Sequence, residues 1–292
     1  MNSVFSRAFL FSCLGSTLIG SSGIFVRLSD FGPMTTGFYR MLIALPFLLL
    51  WMVWEKKEHA LPSFLPLNHM VSLVLAGAFF AFDLALWNWS IDHTTIVNST
   101  LFNNTAVFFV PLILWVTRGE KQTHWFMLMT LIGFMGCSFL AGESLSVSVK
   151  NLLGDVVALT SGVMVALYLI TLKKIREEIT TGFLMWWTGL FSLLFLAAFA
   201  YLFGESFWPF TFKDILSIFG QAILVHIIGQ GLLAYSLGKI PAAFTALILF
   251  LAPLTAAILG WIIFQESLST LKIVGMVLIM VSVIFVKRPK AA

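Results

Sequence analysis

Two apolar stretches decide how this chain folds: MTTGFYRMLIALPFLLLWMVW at residues 34–54 and HMVSLVLAGAFFAFDLALWNWSI at residues 69–91. Each is long enough for a helix that crosses a bilayer, which needs about 20 apolar residues. Each also carries a charge within the apolar run, Arg40 in the first and Asp83 in the second. A charge at membrane depth costs about 2.5–3.5 kcal/mol on insertion scales unless it is paired or faces a cavity. The two stretches therefore predict a membrane protein with functional polar groups inside the bilayer.

The rest of the chain has the same apolar character. Of its 292 residues, 60% are hydrophobic and only 10% are charged, whereas ordinary soluble domains carry about 25% charged residues. We predict an all-α, polytopic membrane protein whose ten transmembrane helices span residues 8–26, 34–54, 70–91, 94–116, 123–142, 152–172, 182–203, 213–237, 242–264 and 270–286. The loops between them are short, so we expect no soluble catalytic domain.

The basic residues predict the orientation of the chain. With the N-terminus in the cytoplasm, the cytoplasmic segments hold 12 of the 17 Lys and Arg residues, the opposite loops hold 4, and Arg40 lies within a span. Because Lys and Arg accumulate in short cytoplasmic loops, we predict that both termini are cytoplasmic. The net charge of +4 is spread over six segments, so it indicates topology and gives no reason to expect a nucleic-acid partner.

The second half of the sequence echoes the first. A shift of 146 residues matches Trp89 with Tyr235, Ser99 with Thr245, Glu120 with Glu266, and Arg40 with Trp186. A shift of 142 residues instead matches Pro111 with Pro253, but the matches at 146 extend over three consecutive elements. We predict two inverted five-helix repeats, residues 1–146 and 147–292, because five spans reverse the direction of the next half. Secondary transporters commonly have such repeats and bind their substrate near the midplane between them.

The two intramembrane charges lie at a common depth in this arrangement. At 1.5 Å per residue, Arg40 and Asp83 are both roughly 10–12 Å below the outer surface, on adjacent helices. We predict an ion pair between them. The pair could serve only to lock the two helices together, or it could belong to a substrate site. A carboxylate that accepts a proton at this depth could also couple transport to protons.

Polar residues are most concentrated in the fourth span. Thr95, Ser99 and Asn103 recur at i, i+4 and i+8 and so form one stripe along a helix, and Asn98 and Asn104 add two further amides. Buried amides need partners, which neighbouring helices could supply through hydrogen bonds. The density of polar groups favours the alternative, a cavity lining.

Other spans provide further candidate lining residues. Trp87 lies one turn from Asp83 and could form an aromatic wall, although Trp near a helix end is often an interfacial residue. His226 and Gln230 lie one turn apart in the eighth span, at central depth. They could line the same cavity or be satisfied within the core. Trp186 occupies the repeat position of Arg40 and is a second candidate for the apolar wall.

Two prolines, Pro111 and Pro253, lie inside predicted spans. A proline in a helix frees a backbone carbonyl and often kinks the helix. Such kinks could act as hinges for gating or could be simple packing bends.

Motifs for nucleotide, dinucleotide and metal binding, and the G-x-S-x-G motif, do not occur in the sequence. Residues 269–272 fit S-x-x-K, but they lie at the expected start of the last span and lack companion motifs, so we attribute the match to chance. We therefore expect no cofactor, no metal and no catalytic residue. The energy for any transport would have to come from a gradient of the substrate, of protons or of another ion.

Three stretches resemble the drug/metabolite transporter superfamily, in particular its EamA-type subgroup: FYRMLIA at 38–44, LALWNWSIDHTTIVNSTLFNNTAVFFVPLILWVTRGEK at 84–121, and SLGKIPAAFTALILFLAPLTAAILGWIIFQES at 236–267. The resemblance implies a basket of ten helices around a central cavity formed mainly by helices 1–4 and 6–9. It further implies alternating access by rocking of the two halves, and peripheral helices 5 and 10 at the contacts of a homodimer.

The sequence departs from the pattern of this subgroup at two positions. The subgroup usually has a proline where Val107 stands, and a glycine where Gln265 precedes Glu266. The first departure leaves open where the fourth helix bends. We interpret Glu120 and Glu266 as caps or loop anchors near the membrane surface rather than as substrate ligands.

The resemblance and the residues together predict a secondary transporter of the bacterial inner membrane, an exporter of a small polar or amphipathic metabolite such as an amino acid or a derivative. Arg40 would bind a substrate carboxylate, and Asp83 would balance Arg40 or an ammonium group. The remaining predicted substrate-binding residues are Asn98, Asn103, Asn104, His226 and Gln230 as hydrogen-bonding groups, and Trp87 and Trp186 as apolar walls. Two alternatives stay open: an intramembrane enzyme acting on a lipid-linked substrate, and a channel or scaffold subunit.

Overall fold

The computed structural model describes residues 3–58, 67–94, 96–142, 151–176, 178–208, 210–265 and 267–286. Within these ranges every regular element is a helix. Among the described residues, nine helical stretches are long and apolar enough to cross a membrane, and a tenth, Thr270–Phe285, is apolar but shorter. The prediction of an all-α, multi-pass membrane protein is confirmed, because many large apolar side chains on these helices point outward, where lipid would cover them. The cytoplasmic termini and the inverted repeat remain predictions.

Six of the ten spans are single helices: α3 (Pro33–Glu58), α4 (Leu67–His93), α7 (His124–Ala141), α8 (Leu152–Arg176), α9 (Thr181–Leu202) and α14 (Thr270–Phe285). The other four spans are divided. The first consists of α1 (Ser3–Gly20) and α2 (Ser22–Leu28), the fourth of α5 (Ile96–Asn103) and α6 (Ala106–Arg118), and the ninth of α12 (Ala242–Ile248) and α13 (Leu251–Phe264). The eighth begins as α10 (Phe212–Gly220), continues as a π-helical segment (Gln221–Gln230) and ends as α11 (Gly231–Leu237).

The ninth span is interrupted by a two-residue turn at Leu249–Phe250, and Pro253 explains it. Proline has no N–H and clashes with the carbonyl four residues earlier, which here belongs to Leu249. The Leu249 carbonyl instead accepts the N–H of Ala252 at 2.9 Å. The chain therefore turns for two residues before α13 begins.

The fourth span is interrupted at Asn104–Thr105, six residues before Pro111, and α6 continues through that proline. The bend is thus close to Val107, where the subgroup usually has its proline. Here side chains, instead of a proline, interrupt the helix. Asn104 Nδ2 donates to the Thr100 carbonyl at 2.8 Å, and the Thr105 hydroxyl donates to the Phe102 carbonyl. Such side chains compete with the backbone for carbonyl groups and so disturb a helix. The hinge roles predicted for both prolines remain predictions.

Packing between the first and second halves positions the polar side chains. Helix α4 packs along α8, α3 along α9, and α7 along α14. Glycines allow backbones to approach closely at these contacts: a Cβ on Gly136 of α7 would lie 2.7 Å from the carbonyl oxygen of Gly275 in α14. The halves are therefore interleaved, and the elements that carry Arg40, Asp83 and Asn103 meet in the centre.

Candidate functional site

A cavity of about 650 Å³ lies between the two halves. Its deep end is lined by Tyr168 of α8 and Gln230 of the π-helical segment, and its other end by Gly260, Ser267 and Lys272 around the start of α14. In the predicted orientation the start of α14 is on the outer side. The cavity thus extends from the centre of the helical bundle toward the predicted outer surface.

The opposite end of the bundle is tightly packed. A continuous core of buried side chains includes residues from the last turns of α8 and α11, the connection after α11 and the first turn of α12: Leu172, Ile175, Leu237, Ile240 and Phe244. The lining of the cavity thus reaches the predicted outer end of the bundle, whereas these described residues at the predicted cytoplasmic end are packed together.

Arg40 of α3 lines the cavity and is only 4% exposed. Its Nη1 donates to Gln221 Oε1 at 3.4 Å, and its guanidinium carbon lies 5.6 Å from the centre of the Phe80 ring. A cation over an aromatic face is stabilised by the charge distribution of the ring. The Arg40 Nε, however, has no protein partner. One donor of a buried guanidinium is thus left unsatisfied by the protein.

Asp83 of α4 lines the same cavity. Its Oδ1 accepts a hydrogen bond from Asn103 Nδ2 at 2.7 Å, and the same Nδ2 donates to Ser161 Oγ at 2.9 Å. Asn103 therefore links α5 to both α4 and α8. Its hydrogen bond also satisfies the Asp83 carboxylate. A buried acceptor without a partner would be costly.

The predicted ion pair between Arg40 and Asp83 is wrong for this conformation. Both side chains are described, yet no Arg40 nitrogen lies within the 4.0 Å that defines an ion pair with an Asp83 oxygen. Gln221 and Phe80 hold the guanidinium, and Asn103 holds the carboxylate. The depth that the two residues share was predictable, but the rotation of their helices was not. Opposite charges consequently share one cavity without neutralising each other directly.

Five other predicted residues also line the cavity: Trp87, Asn103, Asn104, Gln230 and Pro253. The indole Nε1 of Trp87 and the Oε1 of Gln230 are buried without a protein partner. The side-chain nitrogen of Asn104 is engaged by the Thr100 carbonyl, so this residue shapes the turn as well as the lining.

Four predicted residues lie outside the lining. Asn98 Nδ2 donates to Asp155 Oδ1 at 3.0 Å and so ties the fourth span to α8. Trp186 packs edge-on against Trp187, with ring centres 4.9 Å apart. The centre of the His226 ring lies 5.7 Å from the centre of the Phe80 ring, and Phe80 itself lines the cavity. The fourth residue is Pro111, which is buried within α6.

Sequence reasoning gave too little weight to three residues that surround Arg40 or the cavity. Phe80 is one apolar residue among many in its span, and nothing in the sequence singles it out. Tyr168 lies in an apolar stretch of α8 with no pattern that points to a site. Gln221 lies five residues before His226, and in a π-helical segment i→i+5 hydrogen bonds bring the two residues onto one face. The signal for Gln221 would have been a polar residue repeating at five residues instead of four.

The described residues contain no group of three or more His, Cys, Asp or Glu side chains that could hold a metal ion. The cavity instead offers a guanidinium, a carboxylate, amides and aromatic walls. This set suits the binding of an organic solute with both polar and apolar parts.

A multi-pass helical fold around a central cavity with buried charges defines a membrane transporter. The EamA-like transporter family, a member of the drug/metabolite transporter superfamily, matches residues 6–142 and again residues 152–288. The chain therefore belongs to the EamA-like transporter family, and the resemblance of its motifs is confirmed.

Relatives and a solved structure agree with this assignment. An uncharacterized transporter of Archaeoglobus fulgidus is 26% identical over 271 residues, which is 90% of this chain and 91% of that protein. The uncharacterized transporter YetK of Bacillus subtilis is 22% identical, covering 100% of this chain and 89% of its own. A solved crystal structure superposes with a TM-score of 0.81 over 95% of both chains at 14% identity, and so shares the fold. Because the family and these relatives are transporters, the enzyme alternative is set aside.

Proposed function

We propose that the protein is a secondary transporter that exports a small zwitterionic metabolite, an amino acid or a derivative, across the bacterial inner membrane. The observation that supports this most directly is that Arg40 and Asp83 line one cavity without contacting each other. A solute with a carboxylate and an ammonium group would complement both charges. The unpartnered Nε of Arg40 would donate to the solute carboxylate, because charge-assisted hydrogen bonds are the stronger ones.

The remaining polar groups have secondary roles in this proposal. Gln221 and Phe80 hold the guanidinium, and Asn103 holds the Asp83 carboxylate. Gln230 and Trp87 line the cavity and have buried polar atoms without a protein partner, which would turn toward the solute when it binds. These contacts fix the orientation of the solute rather than supply most of the affinity.

The apolar part of the solute would face α13. This helix contributes small apolar residues to the lining, Ala252, Ala256 and Ala257, and the turn before it contributes Leu249. Small side chains on one wall leave space for a side chain of the solute, and a cavity of about 650 Å³ falls in the range of small-molecule sites, about 300–1,000 Å³.

The proposed cycle is alternating access. The solute would enter from the cytoplasm in a second conformation and leave through the end of the cavity that is accessible in this structure. Asp83 could exchange the solute ammonium for a proton, which would couple export to the proton gradient; transport that ignores an imposed pH gradient would exclude this coupling. A homodimer through α7 and α14 also remains a prediction.

The test is export from sealed proteoliposomes. Vesicles that contain the purified protein are loaded with a cell metabolite extract, and mass spectrometry identifies the compounds that leave. We expect selective, saturable loss of zwitterionic compounds. Loss of all small solutes without saturation would indicate a channel, and no loss beyond protein-free vesicles would indicate a scaffold subunit; either result would overturn the proposal.

Variants at Arg40 provide the site-specific test. Arg40→Ala should abolish export while the protein still inserts, and Arg40→Lys should restore little, because a lysine lacks the planar fork that binds a carboxylate in two places. The matched control is Arg118→Ala, since Arg118 is well exposed and its ion-pair partner among the described residues is the exposed Glu120, at 3.7 Å. Export by Arg40→Ala at the wild-type rate, at equal abundance in the vesicles, would exclude the proposed site.

A further inference from the structure

Two glutamates connect the opposite ends of α3 and α9. Glu205, just beyond the end of α9, accepts the backbone N–H of Met34 at 3.2 Å and of Thr35 at 2.7 Å, at the beginning of α3. Glu55, near the end of α3, accepts the backbone N–H of Gly182 at 2.6 Å, at the beginning of α9. The two helices therefore run antiparallel, and each is capped by a carboxylate from the other.

A glycine makes room for the carboxylate at both ends. A Cβ on Gly32 would overlap with the carboxylate of Glu205, and a Cβ on Gly182 would lie 2.9 Å from Glu55 Oε2. The glutamates are 150 residues apart in the sequence, and so are the glycines. The same arrangement is thus built once in each half, at matching ends of the second and seventh spans.

These carboxylates replace the local caps that both helices lack. The first N–H groups of a helix have no partner within it and lie at the positive end of its dipole. Gly32 has no side chain to offer, and the side chain of Thr180, which precedes α9, makes no capping hydrogen bond. A capping residue normally belongs to its own helix. Here the cap comes from a different span, so it also joins two helices from different halves.

The interface between the two caps is close along its length. A Cβ on Gly37 of α3 would lie 3.3 Å from Leu196 of α9, and a Cβ on Gly189 of α9 would lie 3.6 Å from both Leu45 and Leu48 of α3. Arg40 is on α3, seven residues after its first residue Pro33, or about 10 Å along the helix. Of the two caps, the one formed by Glu205 is thus closer to Arg40 along α3.

We propose that Glu55 and Glu205 hold α3 and α9 together as one rigid antiparallel pair, which keeps Arg40 in place while the surrounding helices rearrange during transport. The two glutamates are positioning residues, since neither lines the cavity. The proposal concerns the rigidity of the pair, and only its effect on transport rests on the proposed function.

The rigidity can be measured without a substrate. Spin labels are attached at Leu50→Cys on α3 and Leu194→Cys on α9, two residues that are 67% and 58% exposed on the lipid side, after Cys13 and Cys137 have been replaced by Ser. Pulsed electron paramagnetic resonance in lipid nanodiscs then gives the distance distribution between the labels. We expect one narrow distribution. Two resolved distances in the otherwise unaltered pair would overturn the proposal.

Removal of the caps should loosen the pair. Glu55→Ala combined with Glu205→Ala should broaden the distribution at least twofold, whereas Glu120→Ala, which removes a half-exposed carboxylate that pairs with Arg118, should not change it. An unchanged distribution without both caps would overturn the proposal.

Glutamine variants provide a finer comparison and an alternative where the double alanine variant fails to insert. Glu55→Gln should be nearly silent, because one amide oxygen still accepts the single N–H of Gly182. Glu205→Gln should broaden the distribution, because its amide nitrogen would face one of two N–H donors. Equal behaviour of the two glutamine variants would contradict the capping geometry on which the proposal stands.

The effect on the site is measured by transport kinetics with the compound identified in the proteoliposome assay. Glu205→Ala should raise KM at least fivefold and change the maximal rate per inserted molecule less than twofold, because a displaced Arg40 binds the solute less well. A lower maximal rate at unchanged KM would assign the glutamate a role in stability alone and overturn its positioning role. If the protein moves no solute, the proposed function is wrong. The distance measurement would still decide whether the α3–α9 pair is rigid.

Discussion

The turns in the fourth and ninth spans interrupt the helix in the same way, but their side chains differ in polarity. Asn104–Thr105 divides α5 from α6, and Leu249–Phe250 divides α12 from α13, 145 residues further along the chain. Both turns are crossed closely by a helix from the other half. A Cβ on Gly162 would lie 2.8 Å from the Phe102 carbonyl oxygen, and the Ser16 hydroxyl donates to the Ile248 carbonyl at 2.9 Å. The interruption is thus a feature of the fold that both halves share.

The side chains at the two turns differ completely. In the fourth span Asn103 hydrogen-bonds to Asp83 and Ser161, beside the cavity. In the ninth span Phe250 is fully buried and packs on Gly133, where a Cβ would lie 2.5 Å from its ring. A similar turn in each half therefore does not imply a similar site. The first half supplies the Arg40–Asp83 charges and the asparagines of the cavity, and the second half supplies Gln230, an apolar wall and a packed core.

The largest effect on stability is expected at the apolar turn. Phe250→Ala would leave a void in the core, and such substitutions cost about 3–5 kcal/mol. Thermal unfolding in detergent should show this loss, whereas Phe285→Ala, at a position that is 57% exposed, should have little effect. A similar small effect at both positions would show that the second turn is not a packed element.

The next largest effect is expected at the polar turn, on transport. Asn103→Leu, which places an apolar residue where Ile248 is the counterpart in the ninth span, removes the donor to Asp83 and should lower transport at least tenfold, or about 1.4 kcal/mol. Asn98→Leu is the matched control, because Asn98 binds Asp155 and does not line the cavity; it should reduce stability and leave the transport rate per inserted molecule nearly unchanged. Equal losses of transport would remove the distinction between the two amides.

The smallest effect is expected for Val107→Pro, which makes the two turns more alike. The Val107 N–H donates only to the Asn104 carbonyl, at 3.3 Å, so its loss should change the free energy of unfolding by less than about 1 kcal/mol. The control is Val110→Pro inside α6, where proline should cost about 3 kcal/mol or more. A large loss of thermal stability for Val107→Pro would mean that the side chains of Asn104 and Thr105 do not replace the proline.

The sequence predicted several helices that line the cavity, but it was wrong about which faces of those helices do so. Arg40, Asp83, Asn103 and Gln230 share the cavity as predicted from their depth, yet Asn98 points to Asp155 instead. Asn98 and Asn103 lie five residues apart on one short helix. Which of them faces a cavity depends on the rotation of α5 against α8, and that rotation is set by packing at Gly162.

The caps of the α3–α9 pair show the same limit. In the sequence Glu55 and Glu205 are charges near the ends of apolar runs, which any membrane protein contains. Their partners, the N–H groups of Gly182, Met34 and Thr35, are more than 120 residues away along the chain. No local pattern could have paired them, although the 150-residue spacing of both glutamates and both glycines was present in the sequence.

The sequence by itself determined the class of the protein and its division into spans. A helix in lipid must satisfy its own backbone and present about 20 apolar residues, and both requirements are local. Because the requirement for apolar residues is local, each polar residue within a span could be recognised as a departure from it. Membership of the EamA-like transporter family follows from the sequence as well.

Only the tertiary structure decided which of these polar residues lie close together. Hydrogen bonds and close helix contacts depend on the rotation and crossing of helices from both halves, which no single span specifies. That is why Arg40 is held by Gln221 and Phe80 instead of Asp83, and why two opposite charges remain available within one cavity.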